Sequence, residues 1–233
     1  MNDGSQRKLV IAIDGPAGAG KSTIASRLAK KLGYINLESG AMYRALALKA
    51  IETNTFVGDG PALLRLAQSS DINLEPTPGG NRVLLDGRDV SSRIRERDVT
   101  DAASRASTHP EVREWMVERQ RMMGASGGVI MEGRDIGTVV FPNAEVKIFL
   151  DADQSVRAER RVVQQNAADD PERAQKLVSD LQERDRRDST RAVAPLRPAD
   201  DAVLIDSSRL GIEEVIAEAE RIVENAIRTL SSR

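Results

Sequence analysis

The segment that most constrains this chain is Gly15-Pro16-Ala17-Gly18-Ala19-Gly20-Lys21-Ser22, followed by Thr23. It matches G-x-x-x-x-G-K-[ST] without a gap. An apolar run from Lys8 to Asp14 precedes it and reads as a buried strand. After it, from Lys21 to Lys31, Ile24 and Leu28 lie on one helical face with Leu32. Strand, glycine-rich turn and helix, in that order, build a cradle for phosphate. The glycines let backbone N–H groups turn inward, and the helix adds the positive end of its dipole. Lys21 is placed to reach the β- and γ-phosphates of a nucleoside triphosphate, and Ser22 to offer its hydroxyl to Mg²⁺. Gly15 to Thr23 are therefore the expected nucleotide-binding residues. A further acidic metal partner is expected at a strand end, where Asp14, Asp135 and Asp151 are candidates. Asp14 has an equally good second role, accepting from backbone N–H groups of the loop.

The rest of the chain continues the alternation. Tyr34–Leu37, Gly127–Met131, Val146–Leu150 and Ala202–Ile205 read as further strands. Ala41–Glu52, Glu111–Met123, Ser155–Gln165, Pro171–Arg187 and Gly211–Leu230 read as helices. This predicts an α/β fold: a five-stranded parallel sheet with helices on both faces, carrying ligands beyond the carboxyl ends of its strands. Those ends bear Gly15, Ser39, Arg134, Asp151 and Ser207. Short β-like runs and the turn Pro76–Gly80 mark residues 66–98 as a small β-containing insertion, leaving 1–65 and 99–233 as the core. The polar stretch 157–191, broken between Asn166 and Pro171, is the expected lid.

Composition narrows the chemistry. The 233 residues include no cysteine and a single histidine, His109, so thiol nucleophiles, zinc fingers and multi-histidine metal sites are excluded. The net charge of −2 argues against nucleic acid as a partner. Met1 to Lys8 is polar and no stretch has the length of a membrane span, so a soluble cytoplasmic protein is expected. Arginine outnumbers lysine 27 to 7, and the arginines gather in three places: Arg44, Arg134, and Arg184 to Arg191, with four in eight residues. A solvated helical face would account for Arg184 to Asp188. It does not require Arg191, beyond the helix. One triphosphate does not need so many arginines; two phosphate-bearing ligands meeting head to head do. A phosphate acceptor is already ionised at neutral pH and needs no general base, and none is evident. A P-loop kinase acting on an alcohol would instead need a carboxylate base, and a regulatory ATPase a water-positioning residue.

With these residues in view, the chain resembles the bacterial cytidylate kinases over essentially its full length. The segments that carry the resemblance are IDGPAGAGKST, ESGAMYR, DAAS, HPEVRE, GRDIGTVVFP, KIFLDA, ERDRRDSTRAVAPL and VLIDSS. The resemblance implies a monomeric nucleoside monophosphate kinase with a mobile lid, using ATP and Mg²⁺ on CMP or dCMP. It places Ser39, Tyr43 and Arg44 in the monophosphate site, and has Arg134 and Arg191 grip phosphate. Lys21, Arg134 and Arg191 become the expected catalytic residues. Ser104, Arg113 and Asp135 would surround the cytosine, and Arg184 and Asp188 the ribose. Glu132 departs from a family pattern that can carry Asp there, and receives no role.

Overall fold

The computed structural model describes residues 8–77 and 80–232. The polar N-terminus read above, apart from Lys8, and the centre of the Pro76–Gly80 turn lie outside the described residues.

Five strands form one parallel sheet: β1 (Val10–Asp14), β2 (Ile35–Glu38), β6 (Val129–Gly133), β7 (Val146–Asp151) and β8 (Val203–Asp206). Their spatial order is β2-β6-β1-β7-β8. β1 and β6 lie side by side, with Ile13 opposite Glu132 and Asp14 opposite Gly133. This neighbouring is what sets the turn after β6 against the P-loop. Both strands are buried almost throughout, as expected of parallel strands covered on both faces. On one face, α1 (Lys21–Leu32) and α8 (Ile212–Ser231) bury Ile24, Leu28, Val215, Ala219 and Val223 against Ile11, Ile13 and Ile148. Each such valine, leucine or isoleucine side chain contributes about 1.5–3 kcal/mol on burial.

The elements between β2 and β6 form an arm. It comprises α2 (Ser39–Glu52), α3 (Gly60–Gln68), the antiparallel strands β3 (Ile72–Thr77), β4 (Gly80–Leu85) and β5 (Arg88–Asp89), α4 (Arg97–Ala106) and α5 (Pro110–Gly124). The small sheet does not stand apart. Val83 and Leu85 share one apolar cluster with Leu46 of α2, Leu63 of α3, Val99 of α4 and Met116 of α5. Two of these helices have no counterpart in the sequence reading. α3 is short, though Asp59 caps it by accepting from Ala62 N–H. α4 buries Val99, Ala102, Ala103 and Ala106 on one face and turns arginines and aspartates outward, a helical periodicity that the sequence reading passed over.

The polar stretch forms α6 (Gln154–Gln164) and α7 (Pro171–Thr190), with the break between them where the sequence places it. α7 reaches α4 through Arg97–Asp180 (2.5 Å) and Arg187–Asp101 (3.2 Å). Ser39 is the first residue of α2. Glu38 precedes it, and no side chain caps the helix.

Candidate active site

The P-loop spans the gap between β1 and α1. Gly15 has φ of 147°, and a Cβ there would lie 1.9 Å from the carbonyl oxygen of Leu150 in β7. No other residue fits, because backbone cannot give way as a flexible side chain can. Lys21 is buried and donates to Pro16 C=O at 2.7 Å. Burial, assisted by the charge of Arg134, pulls its pKa down to about 7. Ser22 Oγ donates at 3.0 Å to Glu132 Oε2, which the parallel pairing of β1 and β6 brings alongside.

Glu132 is the residue that the sequence reading left without a role. Its side chain is buried and its Oε1 has no hydrogen-bond partner. Burial pushes its pKa up to about 7, and Glu38 adds to the rise. The other acidic candidates are occupied differently. Asp14 accepts from Ile136 N–H (2.8 Å) and Gly137 N–H (2.7 Å), so it pins the turn after β6 rather than the P-loop. Its pKa is also raised, to about 6, chiefly by burial. Asp151 is exposed and accepts from Ala152 N–H. Asp135 faces arginines.

A second group of side chains converges from the arm, the end of β6 and α7. Arg113 Nη2 donates to Asp135 Oδ2, and Arg191 Nη2 lies 3.7 Å from Asp135 Oδ1. Arg134 Nε donates to Asp188 Oδ2 at 2.8 Å, and Arg184 Nε lies 4.0 Å from the same carboxylate. Asp188 is 5% exposed, so this end of α7 is not the solvated face that its composition allows. Burial, with Arg134 beside it, brings the Arg184 pKa down to about 10. The Arg113 guanidinium sits 5.7 Å from the Tyr43 ring centroid, and burial pushes the Tyr43 hydroxyl up to about 12. Ser39 Oγ donates to Glu132 C=O at 2.7 Å. Arg44 pairs with Glu38, which also receives Arg95 at 3.4 Å. Burial works against the Glu38 charge, but Arg44 outweighs it and holds the carboxyl below its usual range.

Nine of the ten predicted substrate-side residues take part in these contacts, and Ser104 borders them through Ser107, whose hydroxyl donates to Ser104 C=O and whose carbonyl accepts from Arg113. Three others belong to this region that the sequence reading did not single out: Glu132, Glu38 and Arg157. Arg157 donates to Ala152 C=O (2.8 Å), to Ala17 C=O in the P-loop (3.1 Å) and to Asp185 of α7 (2.5 Å). No local pattern marks it among the arginines of that stretch.

Among the described residues, ten buried side-chain polar atoms lack a hydrogen-bond partner, and six sit here. They are Arg44 Nε, Ser104 Oγ, Arg113 Nε, Glu132 Oε1, Arg184 Nε and Arg191 Nη2. Each such atom costs about 1–3 kcal/mol, so their concentration marks a surface built to receive polar ligands. The family model described as cytidylate kinase matches residues 11–225. A cytidylate kinase of Geobacillus kaustophilus is 49% identical, over 95% of this chain and 99% of that one. One of Pelotomaculum thermopropionicum is 51% identical, over 88% and 92%. One of Pasteurella multocida is 46% identical, over 91% and 93%.

Proposed function

Because the chain belongs to the cytidylate kinase family and transfers the γ-phosphoryl of ATP to CMP or dCMP, we propose a division of its site into a donor half and an acceptor half. The observation that carries this division is the set of six buried polar atoms without a hydrogen-bond partner, one on the P-loop side and five on arm and lid.

In the donor half, Gly15 to Thr23 cradle the triphosphate of ATP, and Lys21 stabilises charge on the phosphoryl in transit. Ser22 and Glu132 fit Mg²⁺. Both offer hard oxygen ligands, and Glu132 Oε1 is buried without a partner. A metal held there would supply Lewis-acid stabilisation of phosphate charge. Asp14 holds the turn from Ile136 and so supports the site without facing it.

In the acceptor half, Ser39, Tyr43 and Arg44 take the CMP phosphate, and Arg134 and Arg191 offset the repulsion between the two anions. The attacking oxygen belongs to a phosphate with a second pKa of about 6, so no base is required. Asp135 and Asp188 are both held by arginines and are poorly suited to act as one. That favours a phosphate acceptor over an alcohol. Cytosine presents an N4 amino donor beside N3 and O2 acceptors. Asp135 accepts from N4, Arg113 donates to N3 or O2, and Ser104 serves either way. Arg184 and Asp188 meet the ribose. Stretch 157–191 closes over both nucleotides and excludes water. Arg157, bonded to both P-loop and α7, supports this reading by tying donor site to lid.

No helix among the described residues is long and apolar enough to cross a membrane. The reading includes a monomer working in the cytoplasm in pyrimidine metabolism; sedimentation tests the monomer. Coupled ADP release across a panel of nucleoside monophosphates tests the acceptor assignment. CMP and dCMP should exceed UMP, AMP and GMP in kcat/KM, and an equal response to all five would set the base contacts aside. Hydrogen exchange with and without both substrates tests the lid, which equal protection in α6 and α7 would contradict.

A further inference from the structure

The three-stranded sheet of the arm and the five-stranded core sheet share no ladder hydrogen bonds. β2 is therefore an edge strand of the core, with its outer N–H and C=O groups turned toward β4. One side chain meets them. Asn81 Oδ1 accepts from Glu38 N–H at 2.8 Å, and Asn81 Nδ2 donates to Asn36 C=O at 2.6 Å. Residues 36 and 38 lie two apart on one strand edge, so both groups point the same way. The primary amide of asparagine has the donor and acceptor of a peptide unit, and here it does what a neighbouring strand would do. Asn81 is 9% exposed, and its backbone follows Gly80, whose φ of 138° suits glycine alone.

What this clamp holds is the end of β2. Glu38 is the last residue of that strand and its carboxylate pairs with Arg44 and Arg95. Ser39 and α2, carrying Tyr43 and Arg44, begin at the next residue. Arg95 itself lies just beyond the small sheet. We propose that Asn81 is a positioning residue for the acceptor phosphate: it locks the β2–α2 junction so that Glu38 holds Arg44 in place. The small sheet then serves acceptor binding through one amide, with no contact of its own to the reacting atoms. The inference rests on the assignment of Arg44 to the acceptor half.

The test is steady-state kinetics of Asn81→Ala, Arg44→Ala and the double variant, varying CMP and ATP separately. Asn81→Ala should raise KM for CMP roughly tenfold, the scale of one or two lost hydrogen bonds, with KM for ATP within about twofold of wild type. In the Arg44→Ala background the same change should add no more than about twofold, because both act through one guanidinium. Arg44→Ala with an unchanged KM for CMP would overturn the acceptor reading beneath the inference. An effective Arg44→Ala beside a silent Asn81→Ala would overturn the positioning role alone. So would an equal rise in both KM values, or full additivity in the double variant. Should Asn81→Ala fail to fold, Asn81→Asp keeps the shape and the acceptor for Glu38 N–H while losing the donor. It should raise KM for CMP about threefold with ATP unaffected, and no change there would also overturn the proposal.

Discussion

The proposed donor and acceptor halves of the site are shaped by different means. The P-loop is one stretch of nine residues whose shape comes from glycine and from the close passage of β7 behind Gly15. Its one cation, Lys21, is buried and leans on a backbone carbonyl. The acceptor half has no such stretch. Arg44, Arg113, Arg134, Arg184 and Arg191 come from α2, α5, the end of β6 and α7, and acids hold them: Glu38, Asp135 and Asp188. A backbone cradle needs no counter-charge, because peptide N–H groups carry only partial charge. Converging guanidinium groups repel one another, and the carboxylates among them offset that repulsion before any ligand arrives. The donor half should therefore fail through loss of a single cation, and the acceptor half through loss of an organising acid.

The largest effect is expected at Lys21. Lys21→Ala should lower kcat by about 10²–10³-fold in a coupled ADP assay, the scale of one preorganised charge contact. CMP affinity, measured by calorimetry, should be spared. Near-normal turnover by the folded variant would break the comparison at its donor end. Next comes Asp135, held between Arg113 and Arg191. Asp135→Asn should lower the CMP/UMP ratio of kcat/KM roughly tenfold, the value of one good base contact. A constant ratio with collapsed CMP turnover would make Asp135 purely an organiser of arginines, leaving base choice to Ser104 and Arg113.

The two buried carboxylates beside the P-loop sharpen the contrast further. Asp14 spends both oxygens on backbone N–H groups, so Asp14→Asn leaves one donor facing an amide nitrogen and should cost about 1–3 kcal/mol of stability. Glu132→Gln retains a partner for Ser22 and removes a buried charge. The Glu132 pKa rises from 4.5 to about 7 on folding, so over that interval the folded protein keeps a proton that the unfolded chain has released. Stability from this group therefore falls as pH rises from 4.5 to about 7. Lys21, brought down from 10.5 to about 7, has the opposite effect above pH 7, where the unfolded chain holds more protons and stability rises with pH. Thermal melts between pH 4.5 and 7 should show a flatter profile for Glu132→Gln, with a gain of roughly 2–4 °C at the upper end. Destabilisation of the same size in both variants would mean that the carboxylates share one structural role. The smallest effect is expected at the half-exposed Arg97–Asp180 pair between α4 and α7. Arg97→Ala should change stability by less than about 1 kcal/mol in urea melts, and a larger loss would make the pair a true latch.

The same contrast explains what could be read in advance. The P-loop, the five core strands and the lid break are local patterns, each written in consecutive residues. The resemblance in motifs alone proposes roles for Ser104, Arg113 and Asp188, which no spacing rule distinguishes from ordinary helical residues. Three features escaped. Glu132 looked like a departure from a motif until β1 and β6 were paired and Ser22 came within 3.0 Å. Arg157 was one arginine among many until it touched both the P-loop and α7. The helix α4 carries its helical spacing in its own residues, Val99, Ala102, Ala103 and Ala106, and was passed over beside the β-like runs that precede it.

By itself, then, the sequence determined where the P-loop lies and that a parallel sheet presents it. Both follow from the glycine pattern and from runs of apolar residues, and neither depends on distant parts of the chain. Only the tertiary structure decided which charges are buried and which acid faces which base. Asp188 and Glu183 lie five residues apart on one polar helix, yet the first is buried against Arg134 and the second pairs with Arg186 at the surface. Burial and pairing depend on what other elements bring within a few ångströms, and residue order along one helix does not contain that information.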